Sequence, residues 1–188
     1  MKILFVEDYR VTLAELMIPS ADISEQISLA STEASGTGNM KLMLNGAITL
    51  GTEDGANVEI HEAVGDDNII IFGMRTPEVL KLRATGYNPM PYYNNNQNLK
   101  NAVDYIARGI GGKSFSNISN SLITSDYYMA FADFEDYCKA QTVATTLYND
   151  KEKWTKMSLE NIAHAGIFSA DRSIDDYAKN IWHATPVK

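Results

Sequence analysis

The chain has 188 residues, and 16 Lys and Arg stand against 24 Asp and Glu, a formal charge of −8. With no basic cluster, this balance argues against nucleic acid or an anionic membrane as the main partner, since both need concentrated Lys and Arg. Hydrophobic residues at 45% and charged residues at 21% are ordinary for a water-soluble globular protein, and a chain of this length suits one domain over residues 1–188.

Lys2 to Glu7 (KILFVE) predicts a short strand buried on both faces, because the apolar run is continuous and rich in β-branched and aromatic residues. The run is too short and too closely followed by acids for an export signal, and the equally short Ile69–Phe72 cannot span a bilayer. Residues 11–18 predict a helix ended by Pro19. The polar stretch Ser24 to Ser28 reads as a lead-in to a small-residue loop, Ser31 to Asn39. From Met40 the pattern predicts a helix broken at Asn45-Gly46, a strand around Ile48–Leu50, and a turn at Glu53-Asp54-Gly55. Order resumes over Val58 to Ala63. After a turn at Gly65 to Asp67, a second buried strand is expected over Asn68–Phe72, then a helix over Pro77–Ala84 stopped before Gly86.

Residues 87–97, rich in Asn and Pro, read as a surface loop. Leu99, Ala102, Val103 and Ile106 then share one face of a helix that Gly109 can end. Helices are expected over roughly 131–148, 151–165 and 173–183. Ser173 and Asp176 form a capping pattern for the last, and Ile174, Tyr177, Ala178, Ile181 and Trp182 make its apolar face. Strands mixed with helices early and helices alone later indicate an α/β layer with a helical finish. Cys138 has no partner for an internal disulfide and reads as a small packed side chain; a reduced, cytoplasmic setting is expected.

Glu33-Ala34-Ser35-Gly36-Thr37-Gly38-Asn39-Met40-Lys41 is the segment that carries chemistry. Two glycines two apart let backbone N–H groups approach an anion, and a helix starting after them aims free N–H groups at the same point. Lys41 occupies the place where the dinucleotide fingerprint needs a third glycine. At a helix start its charge opposes the macrodipole, so the side chain either bends into water or becomes an amine pushed toward its neutral form. An amine and a phosphate cradle within one turn are the pair that pyridoxal phosphate requires. Glu33 and Ser35 either cap the loop or bind a polyhydroxylated ligand. Gly109 to Ser114 (GIGGKS) fails as a nucleotide loop, since Ala107 replaces the first glycine and a helix precedes it. His61, His164 and His183 are too scattered for a metal site, and no metal is expected.

Glu33 to Gly46 (EASGTGNMKLMLNG) closely resembles the pyridoxal-phosphate signature of the α-glucan phosphorylases. EDYRVTLAE (Glu7 to Glu15), PSADISEQIS (Pro19 to Ser28), GTEDGANVEI (Gly51 to Ile60), FGM (Phe72 to Met74), FADFEDYCKAQ (Phe131 to Gln141) and the tail from Trp154 to Trp182 are similar to that family in the same order. The resemblance implies a Rossmann-like C-terminal lobe of a two-lobed, GT-B type glycosyltransferase, incomplete, with a helical C-terminal region. It also implies pyridoxal 5'-phosphate as cofactor, with Lys41 as the catalytic Schiff-base lysine and Thr37 and Gly38 as donors to the cofactor's phosphate. Tyr9 is implied to line the cofactor site with Arg10 beside it, while Glu33, Ser35 and Gly36 meet the hydroxyls of the terminal glucose. The implied reaction is phosphorolysis of the non-reducing-end α-1,4 bond of glycogen or maltodextrin, releasing glucose 1-phosphate.

The family's enzymes are several times longer and are expected to be homodimers. The basic segment that holds the phosphates and the whole N-terminal lobe have no counterpart here, so the chain by itself is expected to be inactive. A non-catalytic cofactor-binding, carbohydrate-binding or interaction module, or one half of a split phosphorylase, is the rival reading.

Overall fold

A computed structural model of the chain describes residues 2–185. Its centre is a parallel sheet of β1 (Ile23–Gln26), β2 (Ile48–Gly51) and β3 (Ile70–Ile71), in that spatial order. Ile23 lies opposite Ile48, and Leu50 opposite Ile70. All four residues of β2 are buried, as a central parallel strand covered on both faces requires. Each crossover carries a helix: α2 (Gly38–Leu44) between β1 and β2, and α3 (Asn57–Val64) between β2 and β3. A seven-residue α1 (Val11–Met17) precedes β1 and runs into a single 3₁₀ turn containing Pro19.

The alternation of strand side chains divides the core. Ile48, Leu50, Ile70 and Phe72 pack against the long helices α8 (Ala130–Asn149) and α9 (Lys151–His164), through Ala140, Ala144, Trp154 and Met157. Ile69 and Ile71 turn instead toward Met43 of α2 and Ile60 and Val64 of α3. Beside this layer lie α4 (Thr76–Thr85), α5 (Met90–Asn95), α6 (Gln97–Arg108) and α7 (Ser116–Thr124). Leu99 and Val103 of α6 form a small cluster with Phe131 of α8, and the predicted glycine stop is present at Gly109 with φ 87°. The last helix, α10 (Ala170–Tyr177), continues through one π turn to Trp182. The chain is thus mixed α/β, mostly helical, with a small parallel sheet. Among the described residues no helix is long and apolar enough to cross a membrane.

Several sequence expectations are corrected. Lys2 to Glu7 is not a strand: Ile3 and Leu4 are each 82% exposed and Phe5 is 92% exposed. No strand among the described residues runs beside it, and a lone strand leaves its backbone groups unpaired. The polar Ser24–Ser28 region is instead the site of β1, where Ser24 is buried and pairs opposite Thr49. The loop predicted over 87–97 contains α5, with Pro91 in its first turn, a position that needs no backbone donor. A further helix, α7, occupies the Ser-Asn-rich stretch after GIGGKS. The last helix starts earlier than expected and is capped by Ser169, whose hydroxyl accepts the Arg172 N–H, not by Ser173. Asp175 and Asp176 consequently lie near its C-terminal end, paired with Lys179 and Arg172. Cys138 is exposed, not packed.

Candidate functional site at the carboxyl ends of the strands

Because all three strands are parallel, the segments that follow them emerge at one end of the sheet, where open α/β folds place their ligands. The loop after β1 holds Glu33, Ser35 and Gly36, and the loop after β2 supplies its anchor. Asp54 is 5% exposed, and its two carboxylate oxygens accept the backbone N–H of Ser31 and of Glu33, each at 2.8 Å. A carboxylate that accepts two N–H bonds from one loop fixes both the position and the direction of that loop. The Ser35 carbonyl accepts the Ala56 N–H at 2.8 Å, closing the loop on the start of α3.

A second brace runs beneath it. The Asn39 amide donates to Asn57 Oδ1 at 3.0 Å, the Asn57 amide donates to the Thr52 carbonyl at 3.0 Å, and the Thr52 hydroxyl donates to the Ser28 carbonyl at 2.6 Å. Asn39, Thr52 and Asn57 are all buried, and the two amide links of this chain are made away from water. Gly55 is where the two loops come closest: its φ is +51°, and a side chain there would meet the Ser35 carbonyl oxygen at 2.5 Å. Sequence reasoning saw Asp54-Gly55 only as a turn and passed over Asn39 and Asn57. Their signal was slight, two buried amides 18 positions apart.

The predicted residues divide into two groups. Glu33, Ser35 and Gly36 share one cavity of about 210 Å³ with Glu25, Ser28 and Asn39. Thr37 occupies the cap position of α2 without a side-chain capping bond, and Gly38 opens the helix with clear space where a Cβ would stand. The N–H groups of Gly38 and Asn39 have no acceptor among the described residues, whereas that of Met40 is taken by Asn39 Oδ1 at 3.0 Å. Lys41 is exposed and pairs with no carboxylate among the described residues. Its expected place is corrected: α2 has seven residues and ends at Leu44, so Lys41 stands in the last turn and not at the helix start. Tyr9 and Arg10 lie on the extended segment before α1, both exposed, and Arg10 pairs with Asp8. No group of three or more His, Cys, Asp or Glu side chains among the described residues could hold a metal ion.

A pinned loop presenting a carboxylate, a hydroxyl and backbone N–H groups at the carboxyl end of a parallel sheet is an arrangement whose chemistry suits an anion or a hydroxyl-rich ligand. The family model for carbohydrate phosphorylase matches residues 1–184, and the chain belongs to that family. It is 48% identical over 190 residues to the muscle form of human glycogen phosphorylase, covering 99% of this chain and 23% of that protein. Against a glycogen phosphorylase of the cyanobacterium Synechocystis it is likewise 48% identical, over 191 residues covering 100% of this chain and 22% of that protein. The chain therefore spans about a quarter of the length of the curated relatives it matches.

Proposed function

We propose that this chain, read as one domain over residues 1–188, is the closing part of the second, Rossmann-like lobe of a GT-B type α-glucan phosphorylase. In that role it supplies part of the cofactor site and the terminal-glucose site. The observation that carries this reading is the loop Glu33–Gly38. Two carboxylate hydrogen bonds pin it from beneath, the glucan-facing groups line one cavity, and an exposed amine follows within a turn.

The residues present fit part of pyridoxal 5'-phosphate. Gly38 leaves open space and, with Asn39, two N–H donors unclaimed among the described residues, and Lys41 is an exposed amine able to meet an aldehyde. When bound, the cofactor supplies a phosphate group that serves as acid–base partner to the substrate phosphate. Thr37 and Gly38 orient that phosphate with a hydroxyl and a backbone donor. Glu33 and Ser35 take hydroxyl groups of the terminal glucose, and the Gly36 backbone, at φ +88°, lets the sugar approach closely. Holding the sugar rigidly against the phosphates lowers the barrier by positioning. The phosphate-holding cations come from outside this chain, so the chain alone, without an N-terminal lobe, releases no glucose 1-phosphate from maltodextrin and inorganic phosphate.

Incubation with pyridoxal phosphate, borohydride reduction and peptide mass spectrometry tests the cofactor half-site. One dominant adduct on Lys41, lost in Lys41→Ala, is expected. Adducts spread evenly over the lysines would overturn it.

A further inference from the structure

The sheet has an open edge at β3, which pairs only with β2 among the described residues. The Phe72 N–H donates to the Gly51 carbonyl at 3.0 Å, and in a parallel ladder alternate residues turn to opposite neighbours. Ile71, one position back, therefore points its N–H and carbonyl outward, and so does Ile69, whose backbone is also extended. This edge is not covered. It borders a cavity of about 450 Å³ that shares no lining residue with the cavity of Glu33, Ser35 and Gly36.

Two walls flank the edge. On one, Ala140, Val143 and Leu147 of α8 repeat at helical spacing, and Val143 is 47% exposed. On the other stands His61 of α3, whose ring is paired with Glu53 and, at 2.6 Å, with Asp66. The two ends differ in charge. Asp66 and Asp67 precede β3 and outnumber Lys153, which shares a further cavity with Asp67. Asp67 itself pairs with no cation among the described residues. Beyond β3, Arg75 and Lys139 outnumber Asp136, whose carboxylate already accepts the Gly73 N–H at 2.8 Å.

We infer that this groove takes an extended peptide of a partner protein, which adds to β3 as a further strand. A peptide supplies main-chain donors and acceptors at the spacing that Ile69 and Ile71 present. Side chains of a strand alternate, so every second residue falls on the Val143 wall and is apolar, while those between face His61 and are polar. Charge complementarity sets the ends: a basic side chain lies against Asp67, and an acidic one against Arg75 and Lys139. An edge protected against pairing carries its charges along its length or lies under a loop. Here the charges stand at the two ends, and the stretch between them is apolar and open.

The test is an NMR titration of the chain with a short capped peptide of alternating valine and serine, lysine at one end and glutamate at the other. Both chain directions are made, so that the lysine reaches Asp67 whether the added strand is parallel or antiparallel. One of the two should shift the Ile69 and Ile71 amides and slow hydrogen exchange at Ile71. Methylating the peptide's main-chain N–H groups should weaken binding at least about tenfold, since the edge carbonyls then find no donor. Val143→Lys, which charges the apolar wall at an exposed position, should weaken it as much with the melting temperature unchanged. Failure of both peptides to bind, binding that methylation leaves intact, or shifts that bypass Ile69 and Ile71 overturns strand addition. Ile71 shifts that grow with protein concentration in the absence of peptide give the edge to a second copy and overturn the peptide as its occupant.

Discussion

Asp54 gives the candidate site its shape through two hydrogen bonds of 2.8 Å, one from each of its oxygens. Asp54→Asn keeps the volume but turns one acceptor into an NH₂ group facing a backbone N–H. The unsatisfied buried donor should cost about 2 kcal/mol in urea unfolding and lower the Lys41 labelling yield. A larger loss in Asp54→Ala, which strands both N–H groups, would confirm the cause. Asp133 is a second buried carboxylate. Burial raises its carboxyl above the ordinary value of 3.8; the hydrogen bond from Met74 opposes this, and the nearby Asp136, Asp126 and Glu78 reinforce it. The folded chain therefore keeps this proton to higher pH than the unfolded chain, and stability falls as pH rises from 3.8 through the raised value. In Asp133→Asn that penalty is gone. Thermal melts between about pH 4 and pH 7 should show the variant gaining on the parent chain as pH rises, then holding a constant difference. A difference flat across the whole range would contradict the assignment.

At the scale of elements, what was legible in the sequence was what a local pattern determines. The α6 face, with Leu99 and Val103 buried and Gly109 as its stop, follows from helical periodicity and backbone freedom alone. The Asn45-Gly46 break after α2 and the buried β2 follow in the same way. What failed depended on partners far along the chain. KILFVE has every intrinsic property of a strand, yet strand formation needs a neighbour to take its backbone hydrogen bonds, and β1, β2 and β3 do not supply one. ISEQ has few such properties and is a strand because β2 lies beside it. Asn- and Ser-rich α5 and α7 form for the same reason: Tyr92, Tyr93, Leu122 and Ile123 pack on the Leu99–Phe131 cluster, and packing outweighs weak propensity. The site divides likewise. Gly36, Gly38 and Lys41 stood out by spacing, while Asp54 and Asn57 brace the loop through contacts that spacing does not encode.

For the whole molecule, the distribution of exposed apolar side chains is uneven. Ile3, Leu4 and Phe5 stand in water near one end, and Ile174, Tyr177, Ile181 and Trp182 near the other, each of the latter four about half exposed or more. The α10 group repeats at helical spacing, so it forms one continuous stripe. A stripe of this kind, rarely left bare on a stable monomer, draws molecules together by removing apolar surface from water. The chain's net charge of −8 opposes that association at long range but is screened within about 10 Å at 0.1 M salt. Sedimentation should therefore show association that grows with protein concentration and with added salt. The double variant Ile181→Lys, Trp182→Lys places charges on the stripe where no core contact is lost. It should sediment as a monomer over the same range with an unchanged melting temperature. A fall in melting temperature would instead mean that the stripe is packed against the chain itself. Persistence of association in the double variant, with the melt unchanged, would move the adhesive surface to the Ile3–Phe5 end. Phe5→Lys would then be the substitution that abolishes it.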